Sequence, residues 1–151
     1  MTAKLAIPIR RLPGNDEIPL PAYETAGAAG MDLRAAVESP ITLAPGRIAV
    51  IPCGISIAVP AGYEAQVRPR SGLASKSGIT LINSPGTIDS DYRGEVRVPL
   101  INLGSEPYEI VRGARIAQMI IAPVTQVEWK AVVELDSTER ESGGFGHTGT
   151  R

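Results

Sequence analysis

Apolar and polar residues alternate in short bursts along most of the chain, and glycine or proline punctuates nearly every burst. Period-two alternation is the pattern of a half-buried strand. Leu5 to Arg10 reads as a first strand, blunted by prolines in the manner of a sheet edge, and Pro13-Gly14-Asn15 then turns the chain. The segment from Ala26 to Ala36 mixes small residues with one carboxylate, Asp32; Gly30 disfavours a helix interior, so a turn into a strand is expected. Ile41–Leu43 and Arg47–Ile51 flank Ala44-Pro45-Gly46, and Ile55–Val59 and Tyr63–Arg68 flank Pro60-Ala61-Gly62. Val98 to Gly104, Tyr108 to Val111 and the apolar end of Arg112–Ile121 continue the rhythm, and Thr125 to Leu135, with the only tryptophan, Trp129, predicts one more strand. Strands so short and so regularly spaced predict an all-β domain.

The chain is organised around Ile79 to Glu95. Thr80–Ile82 is a short apolar strand, Ser84-Pro85-Gly86 is turn chemistry, and the strand pattern resumes at Glu95, so the stretch reads as a hairpin with a polar return arm. That arm carries Asp89, Asp91, Tyr92 and Arg93. If it is extended, the two carboxylates share a face. The residues alone fit a solvated polar turn as well as a reaction centre.

Composition narrows the choice. With 151 residues the chain is expected to form one domain able to bury its own core, and its 16 glycines and 13 prolines favour turns between strands over helices. The 15 basic residues nearly balance the 16 acidic ones, so no basic field is present to hold polymeric nucleic acid; phosphate recognition, if any, is local. One cysteine, Cys53, permits neither an internal disulfide nor a thiolate metal cluster and reads as a buried strand residue, which suits a reducing, cytoplasmic setting. The first twelve residues lack a continuous apolar segment of signal-peptide length, and no membrane-spanning run follows, so a soluble protein without a membrane partner is expected.

Local phosphate chemistry is available in Arg68-Pro69-Arg70-Ser71-Gly72-Leu73-Ala74-Ser75-Lys76. Forked guanidiniums, a hydroxyl and free backbone N–H groups all suit an anion, and a helical turn over Leu73–Lys76 would aim the Ser71-Gly72 amides at it. The spacing is not that of a P-loop. Gln118 is a lone amide inside an apolar run, either buried and satisfied or facing a ligand. The glycine-rich tail from Ser137 to Arg151 cannot pack a core, yet it holds Phe145 between glycines with Arg140 upstream, a pairing suited to stacking on a flat ring and clamping an anion. His147, the only histidine, has no metal partners or triad and reads as a solvated tail residue, with phosphate contact as the second reading.

Ala29-Gly30-Met31-Asp32-Leu33, Arg68–Ala74, Asn83 through Gly86–Glu95, Arg112–Met119 and Arg140–Gly146, in that order, resemble the five motifs of the homotrimeric deoxyuridine triphosphatases, the dUTPases. Any one motif is weak; the ordered set, running from about Pro21 onward, is very specific. The resemblance implies a β jelly roll over residues 1–136 with a flexible lid over 137–151, assembled as a homotrimer whose sites draw on all three subunits. It implies dUTP as substrate, with dUMP and pyrophosphate as products, which limits uracil in DNA and supplies dUMP for dTMP synthesis. By the same resemblance Asp89 activates the water that attacks the α-phosphorus, and Asp32 acts through water on Mg²⁺. Arg70, Ser71, Gly72, Gln118 and Arg140 hold phosphates, while Asn83 and the hairpin backbone at Gly86, Thr87 and Ile88 read uracil. Tyr92 packs under the deoxyribose, and Phe145 with Gly146 closes over the base.

The nearest rival on the same fold, dCTP deaminase, needs a glutamate in the strand after the central hairpin to move protons. That position here is Pro99, which has no proton to give. A non-catalytic nucleotide-binding β-module is the other alternative, and intact Asp32 and Asp89 weigh against it.

Overall fold

The computed structural model describes residues 4–145. Eleven strands and one short helix occur there: β1 (Ile9–Arg11), β2 (Met31–Arg34), β3 (Ile41–Leu43), β4 (Ile48–Pro52), β5 (Ile55–Ile57), β6 (Tyr63–Arg68), α1 (Ser71–Ser77), β7 (Ile79–Leu81), β8 (Gly86–Ile88), β9 (Arg97–Asn102), β10 (Tyr108–Ile110) and β11 (Arg115–Pro123). The ladders are antiparallel throughout: a four-stranded sheet ordered β2-β11-β6-β8, a three-stranded sheet ordered β4-β9-β7, and the pairs β1-β5 and β3-β10.

Alternation decides which side chains go inside. Ala65 and Val67 of β6, Val98 and Leu100 of β9, and Ile51 of β4 are buried in one apolar cluster with Leu33, Ile110 and Ile116. Burying one such aliphatic side chain contributes roughly 1.5–3 kcal/mol. An ion pair between exposed side chains contributes only about 0–1 kcal/mol. The apolar interior therefore holds the fold, and the outer polar face is available for other work.

A β-bulge sets that outer face. The register of β11 against β2 shifts between Arg115 and Ala117, and Ile116 and Ala117 are both buried in succession. After the shift Gln118 lies opposite Asp32 of β2 on one side and Arg68 of β6 on the other, so three polar residues form a row across the sheet. Gln66 and Thr87 pair one step further along, on the same face.

Several expectations change. The central stretch is not a hairpin: β7 pairs with β9, whereas β8 pairs with β6, so residues 82–85 carry the chain from one sheet to the other. Ile79 and Leu81 on one strand and Gly86 and Ile88 on the next are all buried, which satisfies both sheets at once. Asp89 and Asp91 do not share an extended face, because Tyr92 N–H donates to the Asp89 carbonyl and closes a turn. The first strand begins at Ile9, after Pro8, which has no N–H to give the ladder. Cys53 lies between β4 and β5 rather than in a strand, and it is buried as expected. Thr125–Leu135 is not a strand. Its sequence has strand composition, but a strand needs hydrogen-bond partners, and beyond Val124 N–H, which donates to Gly62, the described residues provide none. Trp129 is 89% exposed and Val133 101%. No described helix is long and apolar enough to cross a membrane.

Candidate active site

The row on the four-stranded sheet becomes a site because the loop after β6 folds over it. Arg70 has extended backbone at the start of α1, and its carbonyl accepts from Ala74 N–H. The seven-residue helix leans on β7, Leu73 packs against the core, and Gly78 in a left-handed conformation (φ 68°) ends it. This anchoring sends the Arg70 side chain back to Asp32: Nε donates to Oδ1 at 2.9 Å, while Arg115 Nη1 donates to Oδ2 at 3.2 Å. The Asp32 side chain is 16% exposed, so both guanidiniums meet a largely sheltered carboxylate. No side chain caps α1, and no acidic residue stands in its first turn. Ser71 and Gly72 are exposed, and their N–H groups are not used by intrahelical bonds.

Gln118 resolves its two readings in a specific way. Its Nε2 donates to the Pro69 carbonyl at 2.9 Å, which ties β11 to the loop after β6, and the residue is only half-buried. Its Oε1 lies over Gly30, where an added Cβ would come within 2.5 Å. Gly30 thus leaves the space that the amide oxygen occupies, and a larger residue there would displace the end of the Gln118 side chain. Arg68 is held in the same face by Gln66, whose own amide donates to Glu64 at 2.7 Å.

A second group forms at the far edge of the sheet. Asn83 sits above Gly86, where a Cβ would meet its amide at 3.3 Å, and Thr87 and Asp89 are exposed while Ile88 is buried. A cavity of about 190 Å³ is lined by Thr87, Ile88, Asp89, Tyr92, Glu95, Val96 and Arg97. A wider one of about 830 Å³ lies on the other side of Asp89, against residues 61–64 and 123–126, and neither cavity reaches Asp32 or Arg70. The smaller is the better candidate for a sugar and base, because a tyrosine ring, an aliphatic floor and the carboxylate residues Asp89 and Glu95 line it.

The two groups do not meet within one chain. Asp32 and Asp89 are three strand spacings apart across the sheet and four residues apart along it, from the Arg68 row to the Glu64 row, on the order of 20 Å in all. The tail also stands apart: Arg140 donates to the Gly143 carbonyl, and Phe145 is 114% exposed. Gly146 and His147 lie outside the described residues. Sequence reasoning passed over Arg115, although it stands three residues before Gln118 on the strand that borders Asp32.

Among the described residues no three carboxylate, histidine or cysteine groups converge on a common point. Mg²⁺ is content with one or two carboxylates, phosphate oxygens and retained waters. A single sheltered aspartate beside two arginines fits an ion that arrives with a polyphosphate and reaches Asp32 through water; it does not fit a resident protein cage.

Strands, arginine pair and uncapped helical turn define an all-β protein whose cationic side chains gather on the face of a sheet and not in a P-loop. The family model of the dUTPases matches residues 16–149, and the chain belongs to the dUTPase family. A deoxyuridine 5'-triphosphate nucleotidohydrolase from Rhizobium rhizogenes is 62% identical over 141 residues, 92% of this chain and 90% of that protein. The dUTPase of Staphylococcus bacteriophage 80alpha, solved with dUPNHPP, is 26% identical and superposes with a TM-score of 0.87 over 97% of this chain and 99% of that one. A mutant dUTPase of phage phi11 of S. aureus, which coordinates a structural Mg(II) ion, is 24% identical with a TM-score of 0.77 over 86% of this chain and 98% of that one.

Proposed function

We propose that this chain hydrolyses dUTP to dUMP and pyrophosphate, with water attacking the α-phosphorus. The observation that carries the reading is the pair of guanidiniums, Arg70 and Arg115, on the single carboxylate Asp32, with Gln118 paired opposite Asp32 and tied to the Pro69 carbonyl just before the uncapped start of α1. The arrangement suits a triphosphate, whose oxygens would replace Asp32 as the partner of Arg70. Mg²⁺, bound to the triphosphate and held through water by Asp32, would supply charge neutralisation of the leaving group.

The chain's own residues do the rest. Asp89 is exposed at the rim of the smaller cavity, where its carboxylate orients a water and takes its proton as the oxygen bonds to phosphorus. The bond from the α-phosphorus to the bridging oxygen breaks, and pyrophosphate leaves. Asn83 and the backbone of Gly86, Thr87 and Ile88 read the uracil edge, and Tyr92 walls the sugar. Arg140 closes on phosphate, with Phe145 and Gly146 over the base. Residues 1–136 form the catalytic body and 137–151 the lid. Removal of dUTP keeps uracil out of DNA, and the dUMP product feeds dTMP synthesis.

A separation on the order of 20 Å is too long for Asp32 and Asp89 of one chain to serve one α-phosphate. Each site is therefore assembled between subunits of a homotrimer. Exposed Ile48 and Val50 on β4, with Val127, Trp129, Val133 and Leu135 beyond β11, supply apolar surface for that assembly. Incubation with dUTP and Mg²⁺ tests the activity: stoichiometric dUMP and pyrophosphate are expected. Orthophosphate as the product, or no turnover by a confirmed trimer, overturns the reading.

A further inference from the structure

We propose that Gly94 is a specificity-determining position: the absence of a side chain there is what lets the Tyr92 ring lie flat and present its edge to the sugar cavity. The inference rests on the reading of Tyr92 as the sugar wall. The tyrosine folds back across its own loop, and its Oη donates to the Glu95 carbonyl at 2.9 Å. The ring then lies against Gly94, where an added Cβ would fall 2.5 Å from Cζ and 2.9 Å from Cε2. Gly94 is not among the glycines with positive φ. An alanine is thus acceptable to the backbone, and only the Tyr92 side chain, its hydroxyl oxygen nearest and then the ring, stands in its way.

The loop has little freedom to absorb the intrusion. On one side Arg93 Nη1 donates to the carbonyls of Ser90 and Tyr92, at 2.7 and 2.9 Å. On the other, Glu95 Oε1 accepts from Gly54 N–H at 3.0 Å, Val96 N–H donates to Ile55, and Cys53 N–H donates to Val96. With both shoulders fixed, a methyl group at residue 94 must displace the ring by about 1 Å to restore an ordinary contact. A misplacement of that size near reacting groups costs about 10²-fold. The phenol hydroxyl is already satisfied by Glu95, so the ring edge, not the hydroxyl, discriminates between sugars.

The test is a double-mutant cycle on the full chain. It is read as the dUTP-over-UTP ratio of kcat/KM and, independently of turnover, as the affinity ratio for non-hydrolysable imido analogues of the two nucleotides. Gly94→Ala is expected to lower both ratios at least ~10-fold without moving Tm, Tyr92→Phe to retain most of the discrimination, and Gly94→Ala to add nothing in a Tyr92→Ala background. An unchanged ratio in Gly94→Ala, or an equal further loss on top of Tyr92→Ala, overturns the role of Gly94 while leaving Tyr92 as the wall. Loss in Tyr92→Phe as large as in Tyr92→Ala assigns discrimination to the hydroxyl and overturns the ring-edge argument. An unchanged ratio in Tyr92→Ala removes the wall itself, and the proposal with it.

Discussion

The outer face of the four-stranded sheet and the segment beyond it are finished to different degrees. Around Asp32 the polar side chains have partners within the chain: Arg70 and Arg115 on the carboxylate, Gln118 on Pro69, Arg68 on Gln66. From residue 125 to 145 the large apolar side chains, Trp129, Val133, Leu135 and Phe145, are bare. A pre-paired polar cluster holds its geometry before substrate comes, which is what positioning requires. Apolar groups left in water stabilise nothing until something covers them. One region is complete within the chain; the other is, on the proposed assembly, half of an interface.

The sharpest way to break this contrast is Asp89→Asn. The amide orients water without accepting its proton, so kcat is expected to fall ~10²–10⁴-fold while a non-hydrolysable dUTP analogue still binds. Near-normal turnover of a clean preparation would remove Asp89 from the reaction.

Cutting the chain before Arg140 comes next in size. Base–aromatic stacking is worth roughly 1–3 kcal/mol, equivalent to about 5–150-fold, and loss of the lid should lower kcat as well as affinity. Fold and trimer are expected to survive. Mixing truncated chains with full-length Asp89→Asn chains should restore some activity, because a mixed site can combine an intact Asp89 with an intact tail. Mixed trimers seen by native mass spectrometry without any rescue would argue against sharing.

The smallest effect on chemistry belongs to Trp129→Ala. Because the indole is almost wholly exposed, the change should leave unfolding of the separated chain within about 0.5 kcal/mol. It should weaken self-association in sedimentation. A large loss of single-chain stability would mean that Trp129 packs at home and that the contrast is false.

The regions also differ in how legible they are in the sequence. Ile41–Leu43 and Tyr63–Arg68 match β3 and β6 end to end, since alternation and flanking turn residues both act within a few positions. Asp32, Arg70 and Gln118 could be singled out by residue type, but their meeting depends on a bulge at Ile116 that a period-two pattern does not reveal. Thr125–Leu135 has strand composition without a strand, because the deciding partner is not encoded nearby. The supposed hairpin failed for a related reason. Turn chemistry at residues 82–85 says that the chain changes direction, not which sheet receives it. The spaces beside Gly30 and Gly94 are set by side chains 88 and two residues away, and a glycine in a sequence does not announce what lies over it.

The lone thiol has a consequence of its own. Burial, and secondarily the negative charge of Glu95, push Cys53 from its ordinary 9.0 up to about 12. A folded value raised this far makes its contribution to stability complete below about pH 9 and progressively lost as pH climbs toward 12. Below that window the sulfur is neither ionised nor reachable while the core is closed. The protein therefore carries a built-in clock: a thiol-labelling reagent marks one position, only when the sandwich opens, and the labelling rate counts openings that spectroscopy of the resting ensemble would never register.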